Sequence, residues 1–412
     1  MKIFHTSDWH LGRALYGKKR YAEFAAFLTW LIEQIHREAP DLLIIAGDVF
    51  DTTTPSNKAQ ELYYQFLCQV AANTSGRHIV IIGGNHDSPT LLDAANELLK
   101  QLRIHVVGSI SQDYRDEVLE LKDVDGNPQA IVCAIPYLRD RDIRLLEESE
   151  SAEDKDKNFM SAIKDYYAKV YAHALELRKL AKSQIPIIVT GHLFVTGGKT
   201  LKDDGVRELY VGTLAQFGAT DFPSGIDFLA LGHLHVPQKI ANRENFRYCG
   251  SPLAMGFGEA SQQKIIVVAE VTANQVNITE IAVPKFQRLE RVAGDLQTIK
   301  AQLTGLILEN QSIWCEVDYT GNEIVANLSA ELQAVVLGSQ VELIKIHNSQ
   351  LLTQVLSSVE YGAALELSDL TPEQVFEKCL AMNNVPAEQQ HELTDCFAQI
   401  MQDLVTHDAR AE

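Results

Sequence analysis

The stretch Leu42-Leu43-Ile44-Ile45-Ala46-Gly47-Asp48-Val49-Phe50-Asp51 puts an unbroken apolar run, a glycine and a carboxylate in a row. An apolar run of this kind, closed by glycine, is what a strand buried on both faces looks like where it ends. The pattern recurs to either side. Lys2 to Thr6 reads as a short buried strand and leads into Asp8-Trp9-His10. His78 to Ile82 leads through Gly83-Gly84 into Asn85-His86-Asp87. Ile131 to Ile135, Ile187 to Thr190 and Phe228 to Leu231 repeat the run, and the last two open onto Gly191-His192 and Gly232-His233-Leu234-His235. Between these strands, Tyr21 to Glu38 predicts a helix with Phe24, Phe27, Leu28, Leu31, Ile32 and Ile35 on one broad apolar face, and Asn57 to Ala71 predicts a second. The alternation implies a layered α/β domain with its reactive groups at the strand ends.

The groups gathered there are carboxylates, an amide oxygen and imidazoles, with no thiolate among them. Such a donor set suits Mn²⁺, Fe²⁺ or Zn²⁺ better than a soft metal. If the chain is extended, residues i and i+2 point to one side. Asp8 and His10 would then grip one ion together, as would His233 and His235. Asp48 has two oxygens and can serve two ions, while Asn85 adds a neutral oxygen that limits the negative charge. Two divalent ions about 3.5–4 Å apart can clamp a phosphate and acidify a shared water. Each motif alone is weak, because a lone histidine is more often structural than a ligand. The ordered set at successive strand ends is what carries the assignment.

The whole chain sets bounds on this reading. Its 412 residues exceed one ordinary domain. No run of about 18 apolar residues appears, and the N-terminus lacks the apolar stretch of a signal peptide, so a cytoplasmic protein with no membrane association is expected. Cys68, Cys133, Cys249, Cys315, Cys379 and Cys396 are scattered, which predicts mostly buried thiols rather than disulfides or zinc ligands. A net charge of -19 argues against binding nucleic acid by bulk positive charge. Bound metals and a partner could supply that charge instead. Lys18-Lys19-Arg20 and Arg139-Asp140-Arg141 are local candidates for phosphate contact, set against ordinary solvated surface.

Beyond Val283-Pro284 the character changes. Asp295 to Leu303 and Leu328 to Leu337 read as helices, and Ile313 to Val317 and Val341 to Ile346 as strands. They make a small α/β unit without a ligand cluster. Gln350 to Ser368 reads as a linker. Thr371-Pro372-Glu373 is a helix start, with Val375, Phe376, Cys379 and Leu380 on one face. Pro386 starts a second helix striped by Leu393, Phe397, Ile400, Met401 and Leu404. This hairpin could pack back on the body or dock on a partner. Glu147 to Lys157 reads as a charged surface loop leading into a helix from Phe159 to Lys182.

Taken in order, the motifs resemble those of the calcineurin-like metallophosphoesterases. More narrowly, several segments are similar to the SbcD family of bacterial nuclease subunits, relatives of the double-strand-break repair nuclease of archaea and eukaryotes. They are Ile3-Phe4-His5-Thr6-Ser7-Asp8-Trp9-His10-Leu11-Gly12, Ala46-Gly47-Asp48-Val49-Phe50-Asp51, Gly84-Asn85-His86-Asp87-Ser88, Tyr210-Val211-Gly212-Thr213-Leu214, Ala230-Leu231-Gly232-His233-Leu234-His235 and Tyr248-Cys249-Gly250-Ser251-Pro252. The resemblance implies a calcineurin-like β-sandwich flanked by helices over residues 1–283, a small α/β capping domain over 284–348, and a linker and helical hairpin over 349–412. It implies one metal held by Asp8, His10, Asp48 and His235, and another by Asp48, Asn85, His192 and His233, usually Mn²⁺. His86 would act on the phosphate without binding metal, with Asp87 as its orienting partner. The implied activity is 3′–5′ exonuclease and endonuclease cleavage of DNA ends, hairpins and palindromes in recombination and repair. The implied partner is an SbcC-like ATPase docked on the C-terminal helices, with two catalytic heads in a heterotetramer. The rival readings are a small-molecule phosphodiesterase of the same superfamily and an inactive scaffolding protein.

Overall fold

The computed structural model describes residues 1–72, 76–143, 152–181, 184–199, 217–272, 275–321, 323, 325, 327–348, 376, 380, 390, 393, 394, 397 and 398. The chain forms two compact units, Met1–Gln287 and Arg288–Glu412.

The first unit holds two six-stranded sheets. One runs, in spatial order, Val276–Ala282, Ile265–Val271, Lys2–Thr6, Leu42–Ala46, His78–Ile82 and Ile104–Val107. Its last four strands are parallel, and the first two pair antiparallel. The other runs Gln238–Lys239, Phe246–Tyr248, Phe228–Gly232, Ile187–His192, Pro128–Cys133 and Val118–Lys122. Its middle four strands are parallel and its edges antiparallel.

Alternation along each strand sorts the apolar side chains into layers. In Leu42–Ala46, Leu43 and Ile45 face the helices Tyr21–Glu38 and Asn57–Ala72, where they meet Phe24, Phe27, Leu31, Tyr63 and Phe66. Leu42, Ile44 and Ala46 face the other way and meet Ala130, Val132, Ile188, Phe228 and Ala230 of the second sheet. That sheet turns Ile131, Ile187, Val189 and Leu229 toward Ile163, Tyr167, Val170 and Ala174 of the helix Ala152–Leu180. The result is helix, sheet, sheet, helix, with three apolar seams. Each fully buried aliphatic side chain contributes about 1.5–3 kcal/mol. The strand positions lie as the apolar runs indicate. The edge strands Val118–Lys122, Ile104–Val107 and Val276–Ala282, and the inner strand Ile265–Val271, escaped the sequence reading.

The charged run before Phe159 needs a correction, because the helix already begins at Ala152. Of the expected loop, residues 147–151 lie outside the described residues. Of the described cysteines, Cys133, Cys249 and Cys315 are buried free thiols, and Cys68 is an exposed one.

The second unit carries a parallel sheet of Arg288–Gly294, Ile313–Tyr319 and Val341–Asn348. The helices Leu296–Leu308 and Leu328–Val336 pack on it through Ile299, Leu303 and Leu332. The strand Arg288–Gly294 is not signalled by the sequence pattern. The linker from 350 to 368 and most of the helical hairpin lie outside the described residues. Of the hairpin's stripe, Phe376 and Phe397 stack with ring centroids 4.2 Å apart. Among the described residues, no helix is long and apolar enough to cross a membrane.

Candidate metal centre

The ligand-bearing loops leave the strand ends in unusual backbone conformations. Asp8, His10 and Asp48 have φ of 53°, 47° and 49°, and His233 has 101°. The left-handed region is costly for residues with a Cβ, though aspartate tolerates it better than most. It is held here by backbone bonds between loops: Asp8 N donates to Gly47 O at 2.9 Å, His10 N to Asp48 O at 3.0 Å and Leu11 N to Val49 O at 2.9 Å. Trp9, fully buried, locks the first loop from beneath, donating Nε1 to Thr6 Oγ1 at 2.9 Å and packing edge-on against Phe27 and Phe66. Glycine precedes the ligands because the two sheets close tightly there. A Cβ on Gly47 would enter the His192 ring, and one on Gly232 would enter the Ala46 carbonyl.

The i, i+2 pairing expected of an extended chain is therefore corrected. The stretch from Asp8 to His10 is not extended, yet its side chains converge because both residues turn into the left-handed region. His233 and His235 diverge instead. His235 Nε2 lies 3.2 Å from His10 Nε2, while His233 Nδ1 lies 3.2 Å from Asn85 Oδ1. His192 Nε2 approaches both Asn85 Oδ1 at 3.1 Å and Asp48 Oδ2 at 3.2 Å. His10 Nε2 is 3.6 Å from that same Asp48 oxygen. Among the described residues, three groups have donor atoms close enough to share a cation: Asp8, His10 and His235; His10, Asp48 and His86; and Asp8, Asp48 and His192. All of these residues are buried.

Outer contacts fix which nitrogen faces the cluster. A carbonyl can only accept, so His192 Nδ1, 2.9 Å from Ala46 O, carries a proton, and Nε2 is the nitrogen turned toward Asp48. His86 Nδ1 faces the Asp51 carbonyl at 2.8 Å in the same way. The Asp51 carboxylate lies 3.2 Å from His10 Nδ1 and accepts from Arg13 Nη1 at 3.1 Å. Asp87 has a different set of partners from the one expected of it. Its two oxygens accept the backbone amides of Gly84 at 2.8 Å, Val49 at 3.1 Å and Phe50 at 2.9 Å. It thus ties the Asn85–His86 loop to the Asp48 loop, and the observed anchor of the His86 ring is the Asp51 carbonyl.

The titration of these groups follows from their packing. Burial opposes ionisation of Asp48, but His192, His10 and His86 around it hold the carboxyl well below the usual range. Burial also opposes protonation of His192, and the Asp48 and Asp8 carboxylates overcome it, raising the imidazole to about 9. Burial pushes His233 well down, helped by His192. Burial, then Asp48, pushes Asp87 up to about 6 against its three amide donors. Two carboxylates and several imidazoles crowded out of water call for positive charge at their centre. That donor set fits divalent metal ions.

The basic candidates divide. Arg20 is buried and paired with Glu23 at 2.7 and 2.9 Å and with Ala254 O at 2.8 Å, so it is structural. Arg139 bonds the carbonyls of Gly84 at 3.4 Å and Asp87 at 3.1 Å, which flank Asn85 and His86. The sequence reading missed Glu259, whose Oε1 lies 3.5 Å from His235 Nδ1, and Lys264, which donates to the His235 carbonyl at 3.0 Å. Neither sits in a motif that would flag it. The Tyr210–Leu214 motif lies outside the described residues.

Comparison with known proteins agrees with this geometry. A family model described as calcineurin-like phosphoesterase matches residues 1–237. Another, described as type 5 capsule protein repressor C-terminal domain, matches residues 285–384. The chain is 36% identical over 401 residues to the SbcD component of the SbcCD nuclease of Escherichia coli K12, covering 96% of this chain and 97% of that protein. It is 30% identical over 355 residues to the same component from Rhodobacter capsulatus, covering 82% and 85%. It is 32% identical over 272 residues to that from Bacillus subtilis, covering 66% of each.

Proposed function

Because the chain belongs to the SbcD family of calcineurin-like phosphoesterases, we propose that this metal-dependent phosphoesterase is the nuclease component of a two-component, DNA-processing enzyme. Its substrates are DNA ends, hairpins and palindromes, cut by 3′–5′ exonuclease and endonuclease action with Mn²⁺ as the metal. The observation that carries the reading is the buried convergence of Asp8, His10, Asp48, His192 and His235 at the strand ends.

In this reading Asp8, His10, Asp48 and His235 hold one ion, and Asp48, Asn85, His192 and His233 hold the other. Asp48 belongs to both sets, as its contacts to His10 and His192 through one oxygen allow. When bound, the ions supply positive charge to a phosphodiester and acidify a water. The protein's own groups do the rest. His192 and His86 present Nε2, because each gives its Nδ1 proton to a main-chain carbonyl. His86 Nε2 meets the phosphate, stabilising its charge or delivering a proton to the leaving oxygen. Asp87 and Arg139 keep the His86 loop in register by bonding its amides and carbonyls.

The relatives are named as components of SbcCD, which supports an SbcC-like ATPase as partner. We assign its docking to the C-terminal helices and the capping role to residues 284–348, with two catalytic heads per heterotetramer. The test is a nuclease assay on linear and hairpin DNA with Mn²⁺ or Mg²⁺, with and without the ATPase and ATP. Cleavage of hairpin DNA with Mn²⁺ is expected. Hydrolysis confined to small phosphate diesters would overturn the assignment. Removing residues 371–412 should release the ATPase while sparing the nuclease fold, and unchanged co-purification would refute the docking.

A further inference from the structure

Behind His235 lies a buried ion pair that takes no part in the cleavage chemistry. Glu259 ends the short helix Phe257–Glu259 and is fully buried, and Lys264 is 5% exposed. One oxygen of Glu259 takes the Lys264 ammonium, the Met255 amide at 3.1 Å and the Ser251 hydroxyl at 3.4 Å. The other faces His235 Nδ1 at 3.5 Å. The Lys264 ammonium also donates to the His235 carbonyl at 3.0 Å, to Ser251 Oγ at 3.1 Å and to Gln262 Oε1 at 3.0 Å. His235 is thus gripped twice, by its ring through Glu259 and by its main chain through Lys264.

Stability is a poor explanation for such a pair. Well-packed apolar side chains of the same volume stabilise a core as well or better, because both charges must be stripped of water. Position is the better explanation. The far nitrogen of the His235 ring, Nε2, is the one that meets His10 at 3.2 Å and shares a cluster with Asp8. It can act as a metal donor only when it carries no proton. A carboxylate beside Nδ1 favours the proton there. At 3.5 Å this is a charge contact more than a formed hydrogen bond, and it biases the tautomer all the same.

We propose that Glu259 and Lys264 are positioning residues for the metal site: Glu259 holds the His235 proton on Nδ1, and Lys264 fixes both that carboxylate and the His235 main chain. The proposal rests on reading Asp8, His10 and His235 as ligands of one ion. It extends the site to a buried charge pair on a separate turn of the chain.

The test uses the full chain and Mn²⁺ alone, titrated by electron paramagnetic resonance of free Mn²⁺. The variants are Glu259→Gln, and Glu259→Gln combined with Lys264→Met. The double variant leaves no uncompensated buried charge, and its melting curve reports whether it folds. Wild type should bind two ions. In the folded variants one ion should weaken by about 10–100-fold and the other should not change. Two ions bound at wild-type strength in the folded double variant would overturn the proposal, as would equal weakening of both. Wild type binding no Mn²⁺ would instead bring down the metal reading, and this inference with it.

Discussion

Two pairs of histidines in this chain touch at almost the same distance. His10 Nε2 lies 3.2 Å from His235 Nε2, and His78 Nδ1 lies 3.3 Å from His105 Nε2. The pairs also share a strand system: His78 begins the strand His78–Ile82, whose far end leads to Asn85 and His86. Their surroundings differ. Asp8 and Asp48 converge on the first pair. Around the second lie the Lys122 carbonyl, 2.8 Å from His78 Nε2, and the Arg103 guanidinium, 3.3 Å from the same nitrogen. That carbonyl puts the His78 proton on Nε2, so His78 Nδ1 accepts and His105 Nε2 donates. Both rings are then neutral, and burial pushes both below the usual imidazole range, His105 to about 4. Close imidazole nitrogens are therefore not in themselves a metal signal. Carboxylates directed at the same point distinguish the two ends of the sheet.

The largest test of that distinction removes a carboxylate. Asp48→Asn should lower Mn²⁺-dependent cleavage by about 10³-fold or more, the scale of losing a principal electrostatic stabiliser, and should weaken both ions in a Mn²⁺ titration. Near-normal activity would mean that the carboxylates do not define the site. His86→Gln comes next. It should leave Mn²⁺ binding unchanged while slowing cleavage by about 10²–10⁴-fold, as expected for a proton-transfer group. His86 lies within reach of a cluster with His10 and Asp48, so loss of one bound ion in this variant would make it a ligand instead.

How much of this could be read from the sequence follows from the same contrast. Parallel strands buried on both faces give continuous apolar runs, and Leu42–Ala46 and His78–Ile82 stand out for that reason. Asp8, Asp48, Asn85 and His192 were legible because they sit directly beyond such runs. The edge strand Val276–Ala282 is half-exposed and alternates polar with apolar residues, so it ended in no comparable signal. Backbone hand was also hidden. Nothing in Asp8-Trp9-His10 announces two left-handed residues, and an extended chain wrongly joins His233 to His235. Glu259 and Lys264 were illegible because a polar turn looks the same whether it meets water or a buried imidazole. Only the fold brings the Phe257–Glu259 turn behind His235.

The remaining tests concern histidines that the fold keeps neutral. His5 is fully buried, packed edge-on against Phe228, and burial lowers its pKa to about 3. A base with a depressed folded pKa contributes full stability above its unfolded value of about 6.5 and loses it as pH falls toward the folded value. Between pH 7 and pH 5 the metal-free protein should therefore lose about 2 kcal/mol through this residue. Urea melts of wild type and His5→Phe at both pH values would show it, and parallel pH slopes would refute it.

His105→Phe should have the smallest effect. It preserves a ring against His78, where the two stack with centroids 5.5 Å apart, and removes one titrating group. At pH 7 stability should stay within about 0.5 kcal/mol of wild type, because the lost neutral hydrogen bond and the gained apolar ring nearly cancel. At pH 5 the variant should gain about 1 kcal/mol relative to wild type, since wild-type His105, half-buried, must resist protonation there. Mn²⁺ stoichiometry and cleavage should not change at either pH. A bound ion lost in this variant would show that a histidine pair without carboxylates can hold a metal, and the contrast between the two ends of the sheet would fail.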